Sequence, residues 1–327
     1  MKRSSRKDLK IQSISPLERG FYSKRLDYKG IPIKSSSEVA DQALLEAWGR
    51  LNMMLCNEPI ITANLSSAGA QLHIIGKNQA TSDLPENHHL KGSLIDDMDI
   101  DERTRGTGGL LASCGEENLL RLIPDRYHGR DICVHEFAHT ILNYGLCETV
   151  REHVVNHYKW SVHKGLWEGC YAATNYDEFF AELSMWYFGT TGDPGLIDPP
   201  PKKGAAWLRN YDPASFALLD DIFSGRSKIT PVEWQGLSPF SADMESNMVS
   251  QSSSVPTKIR IVNESPTMLK IYWLNYQGER VFTANIAPGE SFFQLTFATH
   301  PWLLTDVQER GISIYMASDL PGFAVIN

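Results

Sequence analysis

The sequence predicts a two-domain α+β protein, with a larger mixed domain of helices and short strands followed by a small all-β sandwich. Three observations predict it. Residues 35–240 show helical periodicities broken by short β-branched runs, and residues 241–257 (SADMESNMVSQSSSVPT) show no periodicity. Residues 258–327 hold β-type segments separated by Gly and Pro turns. The length of 327 residues independently suggests two domains.

Taken in chain order, residues 1–34 carry ten Lys or Arg against three acids and read as a basic flexible leader. The mixed domain then spans 35–240. Ser35–Glu38 has the form of a capping box, and Val39, Leu44, Leu45, Trp48 and Leu51 follow at near-helical spacing, which predicts a helix over 36–55. Ile60–Asn64 and Gln71–Ile75 read as strands. The polar stretch 77–109, with its acidic run Asp96–Asp101, lacks the spacing of a calcium loop and reads as solvated. Asp131 is placed to cap a helix running through Asn143 and stopped by Gly145. Further helices are predicted over 176–188 and around 213–223. The Ser-rich segment 241–257 reads as a linker, and strands are predicted over 258–262, 268–274, 291–297 and 312–316 of the final domain, 258–327.

Composition bounds the class. The residues are 42% hydrophobic and 21% charged, which excludes whole-chain disorder, and a net charge of −8 argues against sequence-independent nucleic-acid binding. It also steers weakly toward cationic peptides. No apolar run is long enough to span a membrane and no secretory signal is visible, so a cytoplasmic location is expected unless the chain leaves by another route or is cut from a precursor. Five cysteines without a CxxC pair fit reduced thiols, and Cys133 and Cys147 are expected in the core rather than on a metal.

The strongest chemical signal is His135-Glu136-Phe137-Ala138-His139. Positions i and i+4 share a helical face, so both imidazoles can reach one Zn²⁺, and Glu136 stands where it can take a proton from an attacking water. A third ligand is required. The metzincin continuation is absent, because Leu142 and Gly145 occupy its Gly and His positions. The remaining candidates are His153, His157, His163 and the carboxylates of a later helix, where Glu178 and Glu182 again lie i,i+4. One of that pair can ligate while the other orients a ligating histidine. A purely structural zinc conflicts with three protein ligands, since structural sites have four.

The run Tyr171-Ala-Ala-Thr-Asn-Tyr-Asp-Glu178-Phe-Phe-Ala-Glu182, about forty residues after HEFAH, resembles the catalytic domain of anthrax lethal factor and its relatives. The resemblance covers about residues 131–188. It implies a zincin-like metallopeptidase domain with one Zn²⁺ per chain held by His135, His139 and Glu178. It also implies Glu136 as general base, Tyr171 as a donor to the oxyanion and Glu182 behind the ligands. In zincins generally an edge strand before the active helix pairs with extended substrate, which points to the segment 106–117.

Residues 258–306 resemble the β-domain of the von Hippel–Lindau tumour suppressor. The signposts are Asn263 with Ser265-Pro266, Trp273-Leu-Asn275, Gly278-Glu279, Pro288-Gly289 and His300-Pro-Trp302 with Asp306. The resemblance implies a small sandwich with a peptide-binding groove. Its hydroxyproline pocket carries over as His300 and Trp302, with Thr296 in place of a Ser and Thr283 in place of a Tyr, which removes a phenol. The helical region that recruits ubiquitin-ligase machinery has no counterpart, so an adaptor role is not expected. The sequence therefore supports a gluzincin-type zinc metalloendopeptidase whose β-module docks a peptide substrate or protein partner. The alternative is a catalytically idle zincin-like scaffold that binds peptides or proteins through the β-module.

Overall fold

The computed structural model describes residues 9–95 and 97–327, and the chain divides into two compact units, 1–231 and 232–327. The first unit opens with an antiparallel meander of β1 (Gln12–Glu18), β2 (Tyr22–Tyr28) and β3 (Ile31–Ser35). Helices α1 (Asp41–Leu55) and α2 (Pro59–Ala68) then supply the crossover that a parallel pair needs, and β4 (Gln71–Ile75) joins β3 in parallel. A two-residue hairpin, β5 (Leu94–Ile95) and β6 (Met98–Asp99), and the turn α3 (Ile100–Arg103) lead into β7 (Gly106–Thr107), β8 (Leu111–Gly115) and α4 (Glu116–Leu120). The sheet runs β1-β2-β3-β4-β8-β7, which leaves β7 as an edge.

Five helices complete this unit: α5 (Ile132–Thr140), α6 (Glu148–His163), α7 (Tyr176–Tyr187), α8 (Ala205–Tyr211) and α9 (Pro213–Phe223). The core between sheet and helices buries Leu44, Leu51, Phe137, Phe179, Phe180 and Trp186. Behind α7 the rings of Trp167, Trp186, Trp207 and Tyr211 pack together, with Trp207 and Tyr211 stacked at 4.7 Å. Buried Asp212 accepts from Trp167 Nε1 (3.0 Å) and Ser161 Oγ (2.9 Å), which ties α6 to the start of α9.

Several expectations are corrected. Residues 12–34 are not a flexible leader: Tyr22, Leu26, Tyr28, Ile31 and Ile33 are buried, and part of the basic charge is paired, Lys24 with Asp41 and Lys34 with Glu18. Residues 1–8 of that leader lie outside the described residues. The first helix begins at Asp41 without a side-chain cap, not at the Ser35 box, because Ser35 is the last residue of β3. The Ile60–Asn64 run is helical: Pro59 sits at the first position, Ile61, Leu65 and Ala68 face the core, and Gly69 closes the helix at φ +85°. In the acidic loop, Asp99 caps α3 and Asp101 binds Ser82, while Asp96 lies outside the described residues.

The second unit is a β-sandwich. Its strands are β9 (Gln235–Gly236), β10 (Phe240–Ser241), β11 (Pro256–Asn263), β12 (Leu269–Leu274), β13 (Arg280–Ile286), β14 (Ser291–Phe297), β15 (Pro301–Thr305), β16 (Gly311–Met316) and β17 (Gly322–Ile326). One sheet runs β10-β16-β15-β12-β13 and the other β14-β11-β17-β9. Between them Ile259, Ile261, Ile271 and Leu304 are fully buried. The expected linker 241–257 belongs to this body. Met248 packs with Tyr272, Leu274 and Leu303, and Ser250 donates to the Leu274 carbonyl (2.6 Å) while accepting from Trp273 Nε1 (2.7 Å).

Candidate metal and catalytic site

Helix α5 starts at Asp131, whose side chain accepts from the Val134 N–H and is held by Arg50 (2.7 Å) and Arg121 (3.1 Å). Its four-residue spacing brings His135 and His139 edge to face, with their Nε2 atoms 3.3 Å apart. The helix does not continue regularly to Gly145 but widens into a π-turn over Ile141–Gly145. There Asn143 Nδ2 donates to Asp177 Oδ1 (2.8 Å), fastening the turn to the first turn of α7. Asn175 caps α7 by accepting from the Glu178 N–H (2.9 Å), and Glu178 and Glu182 then share the face toward α5.

Glu178 Oε2 lies 3.2 Å from His135 Nε2 and 3.5 Å from His139 Nε2. That oxygen is buried yet has no hydrogen-bond partner. The three atoms therefore converge with the carboxylate oxygen left unsatisfied, which is the arrangement a shared cation resolves. The distances fit: four ligands at 2.0–2.1 Å from a tetrahedral zinc stand about 3.3–3.4 Å apart. On the far side of the His135 ring, Nδ1 faces Glu182 Oε1 at 3.2 Å, and Glu182 is 2% exposed. His135, His139 and Glu178 each offer one ligand atom within 4.8 Å of the others, a grouping that could hold a metal ion.

The electrostatics point the same way. Burial alone would lower the His135 pKa, but Glu178, Glu182 and Glu136 outweigh it and push it up to about 10. Burial would raise Glu178, but the imidazoles of His135 and His139 hold it well below the usual carboxylate range. Such a pocket favours positive charge at its centre. Burial raises the pKa of Glu136, the neighbour of His135 in the helix. Tyr171, on a 3₁₀ turn over Tyr171–Ala173, donates to Glu178 Oε1 at 3.3 Å and keeps 39% of its surface exposed at the mouth. Its pKa is raised by burial and by Glu178, and opposed by a hydrogen bond from Arg103 of α3.

The edge strand β7 lies directly against α5. A Cβ on Gly106 would stand 2.9 Å from Glu136 Oε1, and one on Gly108 would stand 2.9 Å from His139 Cβ. Thr140 Oγ1 donates to the Gly109 carbonyl (2.6 Å), anchoring the segment to the helix. Arg105 holds it from behind with two bonds of 2.8 Å to Glu117. The sequence reading nominated this segment but not the contacts that place it, and it missed Arg103 and Arg105. Cys133 is buried, and Cys147 packs against the core with its thiol donating weakly to the Lys228 carbonyl.

In the second unit the expected groove residues separate. His300 is ringed by Trp273 (5.4 Å), Tyr276 (5.6 Å) and Phe297 (5.7 Å), and its ring nitrogens meet Thr296 Oγ1 (3.3 Å) and Tyr276 Oη (3.4 Å). Trp302 instead stands opposite Trp273 in the ladder, only 4% exposed, and packs on Phe292 inside the sandwich. Thr283 sits at the irregularity where β13 slips against β12, its hydroxyl bonded to the Val281 carbonyl. The sequence reading took Trp273 as a signpost of the resemblance but placed neither it nor Tyr276, next but two along the WLNY run, beside His300.

Two comparisons can be set beside this geometry. Residues 248–314 match the VHL beta domain family, which supports the resemblance of the C-terminal unit and suggests protein binding there. Among solved structures, the chain is similar to the PRO-PRO endopeptidase PPEP-2 from Paenibacillus alvei, at 18% identity and a TM-score of 0.42, covering 60% of this chain and 98% of that one. Among the described residues, no helix is long and apolar enough to cross a membrane.

Proposed function

We propose that the first unit is a zinc metalloendopeptidase of the gluzincin type and that the second docks its substrate or a protein partner. The observation that carries this reading is the convergence of His135 Nε2, His139 Nε2 and Glu178 Oε2 at 3.2–3.5 Å with Glu136 adjoining. When bound by these three residues, zinc acidifies a water and polarises a carbonyl oxygen. Glu136 takes the proton of the attacking water and returns it to the leaving amine. Tyr171 donates a hydrogen bond from its phenol to the developing oxyanion. Glu182 stands behind the His135 ring, 3.2 Å from Nδ1, the place from which a carboxylate orients a ligating imidazole. The edge strand β7 supports pairing with an extended peptide beside Glu136, once Thr104 Oγ1 releases the Gly106 N–H and C=O that it binds.

In the second unit, the aromatic ring of Trp273, Tyr276 and Phe297 around His300 supports docking of a peptide segment; Tyr276 is half exposed. An idle scaffold working only through this module has no use for Glu136 and Tyr171 in the arrangement described. The test is metal content by mass spectrometry of the wild type and Glu178→Ala, followed by digestion of a peptide library. One zinc per chain, lost in the variant, with library cleavage supports the proposal. Stoichiometric zinc without cleavage favours the scaffold, and a zinc-free wild type purified without chelator refutes the metal site.

A further inference from the structure

The loop after α7 reaches back to the site. Asp193 Oδ2 accepts the backbone N–H of Tyr171 at 3.0 Å, while the N–H of Asp193 itself donates to Glu182 Oε2 in a very short bond. One residue thus grips both the phenol-bearing turn and the carboxylate behind His135. Two glycines of this loop pack closely. Gly192 is buried, and a Cβ there would run into the Trp186 ring and Glu182; a Cβ on Gly195 would stand 2.5 Å from the Gly169 carbonyl and 2.6 Å from Cys170 Cα. Cys170 Sγ also reaches the Pro194 carbonyl at 3.4 Å. The segment 192–195 is therefore seated against the very chain that delivers Tyr171.

We propose that Asp193 is a positioning residue that couples Tyr171 to Glu182, so that the hydroxyl at the mouth and the ring of His135 are held as one unit. The inference rests on the peptidase reading for its kinetic consequences but not for the clasp itself. Asp193 touches neither metal donors nor the expected path of substrate; it acts through the Tyr171 amide and through Glu182. Its carboxylate serves as an acceptor, so an amide can replace it, whereas a methyl cannot.

The experiment compares Asp193→Asn and Asp193→Ala in the full chain, by amide hydrogen exchange at Tyr171 and by kcat and KM on a cleaved library peptide. Exchange at the Tyr171 amide is expected to speed up in Asp193→Ala and to stay near wild type in Asp193→Asn. The Ala variant should lose about tenfold in kcat, the size of one hydrogen bond, with KM and zinc content unchanged and most of the loss recovered by Asn. In a Tyr171→Phe background, Asp193→Ala should cost less than about twofold more, because the two act through one hydroxyl. Unchanged exchange in Asp193→Ala overturns the clasp whether or not the protein cleaves peptides. Equal losses in Asn and Ala, or full additivity with Tyr171→Phe, overturn the positioning role. A wild type that cleaves nothing refutes the peptidase reading, and exchange then decides the clasp alone.

Discussion

Glu182 Oε1 and His135 Nδ1 face each other at 3.2 Å on the side of the ring opposite Glu178. A carboxylate in that place selects the tautomer that leaves Nε2 free for a cation. Glu182→Ala is therefore expected to weaken zinc binding by roughly 10- to 100-fold without unfolding the chain. Competition with a chelator of known affinity measures the change, and an unaltered affinity would show that the contact is only packing.

Glu136 adjoins the metal group without belonging to it. Glu136→Gln should retain one zinc and the wild-type melting temperature while losing about 10²–10⁴-fold in kcat. A variant that cleaves at the wild-type rate would remove Glu136 from the mechanism.

Tyr171 already lies within 3.3 Å of Glu178, close to where an oxyanion develops. Tyr171→Phe is expected to lower kcat by roughly 10²-fold with little change in KM, since the bond strengthens only in the transition state. Steady-state kinetics on one peptide separate the two constants.

Glu58 gives a pH signature far from the site. One of its oxygens is buried without a hydrogen-bond partner, and burial raises its pKa from 4.5 to about 7 against a backbone bond from Gly225. The folded chain therefore keeps a proton that the unfolded chain releases, and stability falls as pH rises from 4.5 through about 7. Glu58→Gln should raise the melting temperature at about pH 8 and leave it unchanged near pH 4, as read by calorimetry.

The second unit has its own core and should fold as the fragment 232–327. A fragment cut at 258 loses Met248 from its pocket and Ser250 from the Trp273 indole. Its melting temperature should be lower by more than about 10 °C, because the cut removes β9, β10 and the start of β11 in addition to one buried Met and one hydrogen bond.

These residues also mark how far the sequence could be read. HEFAH and EFFAE were legible because each places its chemically capable residues i,i+4 on one helical face, and helix boundaries at Asp131 and Asn175 carry their own caps. The first three strands were obscured because their basic residues pair with distant acids such as Asp41, a cancellation that a local charge count cannot register. The Ile60–Asn64 run was misread from its β-branched content, although Pro59 and Gly69 bracket a ten-residue helix. The Ser-rich segment 241–257 has no periodicity because single residues, Met248 and Ser250, anchor it rather than a repeating face. Asp193 left no signal, since its role depends on a loop folding back over eleven residues to Glu182.

The contacts of Gly106 and Gly108 with Glu136 and His139 bear on how this site could diversify. A segment that abuts the HEFAH helix with no side chains between them at Gly106 and Gly108 cannot acquire selectivity through its own substitutions at those two positions. Any Cβ there must displace Glu136 or His139 before it meets a bound chain. Randomising residues 106–109 and selecting on different peptides should return glycine at 106 and 108 each time, so that new preferences accumulate elsewhere on the cleft.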